Sequence, residues 1–70
     1  MRRKYLGYIL QFTRSDHGGR HIHVFRENRP LGVFDHRDGP IRGLETVWNA
    51  DLREAIDRFI VELNERGDWI

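Results

Sequence analysis

The sequence predicts an α+β domain, an antiparallel sheet of three or four strands with one C-terminal helix packed on one face, in the order β-β-β-α. Three observations predict it. Apolar residues recur at helical spacing only late in the chain, where Leu52, Ala55, Ile56, Phe59, Ile60 and Leu63 form one stripe. Aromatic and β-branched residues crowd the first half in runs bounded by turn formers. A chain of 70 residues has room for one core, so the two halves must bury each other, and 1–70 reads as a single domain.

Residues 5–13 are rich enough in aromatic and β-branched side chains to be the first strand, with Leu6, Tyr8, Leu10 and Phe12 on one face. The basic start, Arg2-Arg3-Lys4, reads as a frayed, solvated end, with contact to nucleic acid as the alternative. Residues 15–19 form a loop by their glycines and by Asp16. Gly18-Gly19 precedes no helix and so makes no phosphate loop.

Residues 20–35 then fold as a hairpin about Glu27-Asn28, where asparagine tolerates the positive φ of a two-residue turn. In the simplest register Val24 faces Leu31 and Ile22 faces Val33, which makes one aliphatic side. On the other side His23 opposes Gly32, His21 opposes Phe34 and Phe25 opposes Pro30. Glycine opposite His23 would leave its ring room for a ligand. Residues 35–40 are another turn, and 41–44 add a short edge strand.

The helix begins at Asn49, an N-cap, with Asp51 in its first turn, and stops at Gly67. Glu54 with Arg58 and Glu62 with Arg66 are favourable i, i+4 pairs on its outer side. Trp48 packs on the first turn, while Trp69 and Ile70 fold back over the end of the core.

Composition narrows the functional classes. Without cysteine there are no disulfides and no cysteine–metal clusters. No apolar stretch approaches the roughly 18 residues of a membrane span, and no apolar signal segment follows the basic start. A soluble, cytoplasmic protein with no membrane partner is the expectation. Net charge is +1, but it is unevenly spread. Residues 1–30 hold seven basic side chains against two carboxylates, and residues 31–70 hold five against nine. A sheet-side basic surface for nucleic acid and a merely solvated asymmetry are both compatible with this dipole. Arginine outnumbers lysine eleven to one, which suits phosphate recognition as well as codon bias.

The candidate site is His21 and His23. On one strand they project from one face, with Cα atoms roughly 6.6–6.8 Å apart, while Ile22 and Val24 project from the other. Three chemistries fit such a pair. As an acid–base couple, one neutral and one protonated imidazole can deprotonate a ribose 2′-OH and protonate a leaving oxygen without a cofactor. As a recognition face, the histidines together with Arg20, Arg26, Phe25 and Phe34 combine charge with stacking, as sheet surfaces that bind RNA do. As a metal site for zinc or another divalent transition metal, they need a third ligand. His17, Asp16, Asp35 or His36 could supply it. The plain alternatives are polar cross-strand packing for the histidines and a second small hydrophobic cluster, or a protein interface, for the phenylalanines.

Over Asp16-His17-Gly18-Gly19-Arg20-His21-Ile22-His23-Val24 the chain resembles a widespread prokaryotic family of small domains of unknown function. The family's hallmark is a loop of Asp-His and prolines leading into a His-aromatic-His-Val strand. Here Gly18-Gly19-Arg20 replaces the proline-containing stretch and Ile22 replaces the aromatic. The hairpin ending in Phe34-Asp35, the segment Asp38-Gly39-Pro40-Ile41-Arg42-Gly43 and a helix closing on Trp69 extend the likeness over nearly the whole chain. It implies a toxin–antitoxin-like pairing with a cognate small protein encoded nearby.

Gly19-Arg20-His21 followed by a hairpin and a helix is also similar to HicA-type messenger-RNA interferase toxins, although residues 1–4 are too short for their first helix. That likeness implies RNA cleavage by a strand histidine. The resulting expectation is a component of a toxin–antitoxin-like pair that binds or cuts RNA through His21 and His23. A non-catalytic interaction module, a metal-binding domain and a homodimer remain open beside it.

Overall fold

A computed structural model describes residues 1–13 and 20–69. Five antiparallel strands form one sheet in sequence order: β1 (Arg2–Tyr5), β2 (Tyr8–Phe12), β3 (His21–Arg26), β4 (Arg29–Asp35) and β5 (Gly39–Ile41). A 3₁₀ turn, Leu44–Thr46, leads to the single helix α1 (Ala50–Glu65). The fold is α+β as expected, with five strands rather than three or four. No helix among the described residues is long and apolar enough to cross a membrane.

The extra strands come from two turns. Residues 5–13 are not one strand, because Leu6 and Gly7 take φ of 52° and 86° and reverse the chain in a two-residue hairpin. Leu6 therefore sits exposed at a hairpin tip instead of on the apolar face. The basic start becomes strand β1, paired from Arg2 opposite Gln11 to Tyr5 opposite Tyr8. At the other edge, β5 starts at Gly39, earlier than the expected strand over 41–44.

The β3–β4 hairpin turns at Glu27 and Asn28, both at positive φ, as the sequence indicates. Phe25 opposes Pro30 as expected, but a bulge between Val24 and Phe25 shifts every later pair by one residue. Val24 then faces Gly32, Ile22 faces Phe34, His23 faces Val33 and His21 faces Asp35. Phe34 and Gly32 consequently move to the helix side, and Val33 moves to the opposite face. Gly32 takes φ 147°, and a Cβ there would lie 2.4 Å from the Leu44 amide nitrogen. Its missing side chain makes room for the 3₁₀ turn, not for a ligand beside His23.

The core lies between sheet and helix. Tyr8, Leu10, Phe12, Ile22 and Val24 meet Leu52, Ala55, Ile56, Phe59 and Leu63, and Leu44 and Trp69 are buried with them. α1 packs over β1 and β2, while the 3₁₀ turn covers β4 and β5. Asn49 caps the helix by accepting from the Leu52 amide at 2.8 Å, and Gly67 ends it at φ 76°. Trp48 stacks on Phe34 with ring centroids 5.7 Å apart. Trp69 closes the far end against Phe12, whereas Ile70 lies outside the described residues.

Glu54 and Arg58 approach to 3.6 Å, but Glu62 does not pair with Arg66. It faces β1, where it accepts from Arg3 Nε at 2.8 Å and from the Tyr5 hydroxyl at 2.5 Å, and Arg66 reaches Asp68 instead.

Candidate functional site

Because Ile22 and Val24 are sealed under the helix, strand alternation puts His21 and His23 on the helix-free face of the sheet. That face is laid out in rows across the strands. Arg2, Gln11, His23, Val33 and Ile41 form one row, and Lys4, Ile9, Phe25 and Pro30 form the next. His21, Asp35 and Gly39 lie on the other side of the His23 row.

His21 is 37% exposed at its side chain, and its Nε2 lies 2.8 Å from Asp35 Oδ1. An ionised carboxylate only accepts, so Nε2 carries the hydrogen of this bond. Asp35 is itself fixed. Its other oxygen accepts from the amides of Asp38 at 2.8 Å and Arg37 at 2.9 Å, in the turn that joins β4 to β5. These bonds, the Asp38 amide first, hold the carboxyl below its ordinary 3.8, opposed by burial and helped by His21. His21 thus has one nitrogen anchored by a buried, immobilised carboxylate, and in the neutral ring that bond selects the tautomer with Nδ1 as the acceptor. His23 is exposed one pleat away, next to Gln11 and Val33.

The basic partners differ from those expected. Arg20 and Arg26 do not flank the histidines; they lie on the helix side of the sheet. Arg26 sits 5.1 Å over the Tyr8 ring, and Arg20 lies 5.9 Å over Trp69 and 3.4 Å from His36 Nε2. Phe34 is likewise on the helix side, under Trp48. Phe25 alone of the expected aromatic pair stays with the imidazoles. In their place β1 brings Arg2, whose guanidinium lies 5.7 Å over the Phe25 ring, and Lys4, which is exposed.

The metal alternative loses ligands by the same geometry. His36 packs edge-on against Trp69 on the helix side, and Asp35 is bonded to His21. His17 and Asp16 lie outside the described residues. No group of three or more potential ligands occurs among the described residues. The chain matches no family model, no curated protein and no solved structure.

The two fixed carboxylates give stability a defined pH dependence. Glu62 is held below its ordinary 4.5, by the Tyr5 hydroxyl first and then by Arg3, as Asp35 is held below 3.8. A carboxyl lowered in the folded state stabilises fully above its unfolded value and loses that contribution as pH falls through the folded one. Urea midpoints should therefore drop as pH falls below about 4.5. Asp35→Asn should flatten the lower part of that drop. A midpoint in Asp35→Asn with the unaltered acid slope would show that the Asp35 bonds do not contribute.

Proposed function

We propose that the chain binds single-stranded RNA across the helix-free sheet face and cleaves it with His21 and His23 as base and acid. We place it in a toxin–antitoxin-like pair with a small protein encoded nearby. The observation that carries the reading is the 2.8 Å contact between His21 Nε2 and Asp35 Oδ1. A strand imidazole that is partly exposed and oriented by a buried carboxylate is the arrangement a general base requires.

In the reaction, His21 Nδ1 takes the proton of a ribose 2′-OH, and Asp35 stabilises the imidazolium that results. The 2′ oxygen forms a bond to the adjacent phosphorus as the bond from phosphorus to the 5′ oxygen breaks. His23, as imidazolium, gives its proton to that leaving oxygen. The products are a 2′,3′-cyclic phosphate and a 5′-hydroxyl end, and exchange with water restores both imidazoles. Arg2 and Lys4 attract the phosphates, and Phe25 offers a ring for a base to stack on.

The test is to incubate a labelled, unstructured oligoribonucleotide with the protein in the presence of a chelator. Cleavage to cyclic-phosphate ends is expected, with protection wherever a single 2′-deoxynucleotide replaces the attacking ribose. Intact RNA, cleavage past the deoxy position, or cleavage abolished by the chelator would contradict the proposal.

A further inference from the structure

β1 and β5 are the two edges of the sheet. β5 is three residues long, its middle residue Pro40 has no amide hydrogen, and the 3₁₀ turn packs on it. Among the described residues, β1 has none of these blocks. Tyr5 and Tyr8 flank a two-residue turn and so form a hydrogen-bonded pair. Met1 is in the same phase, since its carbonyl accepts from the Phe12 amide and its amine donates to the Phe12 carbonyl, each at 2.8 Å. The inward positions are then Met1, Arg3 and Tyr5. The amides and carbonyls of Arg2 and Lys4 point outward, away from β2. The Arg2 carbonyl takes one bond from Arg3 Nη1 at 3.0 Å and retains a second lone pair.

The side chains specify what can pair there. Arg2, Arg3 and Lys4 are all exposed. Arg3 leans to the helix side toward Glu62, while Arg2 and Lys4 stand on the helix-free side. Two copies of β1 paired antiparallel would set these cations opposite one another, which disfavours self-association. An extended segment with carboxylates at alternate positions would meet Arg2 and Lys4 while its backbone took the outward ladder groups. We propose that β1 is a docking edge for an acidic strand of a partner protein, which adds to the sheet as its next strand. This inference uses the backbone of the edge and does not depend on RNA cleavage by the imidazoles.

The experiment is an NMR titration of the labelled chain with a short acetylated peptide of alternating glutamate and valine. The Arg2 and Lys4 amides should shift and exchange more slowly with solvent, and a lysine–valine peptide should leave them unchanged. Chemical synthesis with an N-methylated amide at Lys4 keeps the charge and removes one outward donor. That chain, checked for its native circular dichroism, should bind the acidic peptide about tenfold more weakly. No binding, shifts away from β1, binding undiminished by the methyl group, or dimerisation of the peptide-free chain through β1 would each overturn the proposal.

Discussion

Gly32→Ala should remove much of the stability of the domain. The new Cβ would lie 2.4 Å from the Leu44 amide nitrogen, 2.8 Å from Leu44 Cβ and 2.9 Å from the Arg42 carbonyl oxygen. Two of those three atoms are backbone, and Leu44 is fully buried, so none can swing aside as a long side chain would. Overpacking of a core typically costs about 1–3 kcal/mol, and the φ of 147° adds strain for any residue with a Cβ.

A domain of this size has a stability on the order of 4–10 kcal/mol, so a combined loss of about 3–5 kcal/mol removes much of it. Gly39→Ala is the matched control. It too has positive φ, 77°, but nothing lies within 4 Å of the added carbon. Its cost should stay at about 1–2 kcal/mol, the conformational penalty alone. Urea unfolding followed by the fluorescence of Trp48 and Trp69 reads both. Equal midpoints for the two variants would refute the close packing of the 3₁₀ turn on β4.

His21→Ala should lower RNA cleavage by about 10²–10⁴-fold, the usual contribution of a positioned base. Asp35→Asn should fall in the same direction with the fold retained, because the amide can present its nitrogen to His21 and upset the tautomer that leaves Nδ1 as acceptor. Lys4→Ala should weaken binding and reduce its salt dependence while leaving the rate at saturation unchanged. Arg20→Ala and Arg26→Ala should cleave as the parent does, since both side chains lie across the sheet from the imidazoles. Loss of cleavage in the two arginine variants, with His21→Ala active, would move the site to the other face.

The helix and its cap were legible because a stripe of apolar residues at i, i+3, i+4 and i+7 has few structural alternatives. The Glu27-Asn28 turn was legible for a similar reason, since asparagine tolerates the backbone it needs. The Leu6-Gly7 turn was not. Leucine seldom adopts φ near 52°, so an apolar run appeared to continue through it, and Arg2 and Lys4 went unseen as members of the site face. The bulge after Val24 was also hidden, because the slipped and unslipped registers both give coherent faces up to Phe25. Gly32 was its one signal, a glycine inside a strand marking a close backbone approach. Missing it exchanged Phe34 for Asp35 as the neighbour of His21, and with that the residue on which the proposed chemistry depends.

RNA is expected to meet the helix-free face. Mapping amide and imidazole chemical shifts during titration with a 2′-O-methyl single-stranded oligonucleotide, which cannot be cut, tests it most directly. Changes should gather on Lys4, Gln11, His21, His23 and Phe25 and fade as salt rises. Changes confined to α1, or none at low salt, would contradict it.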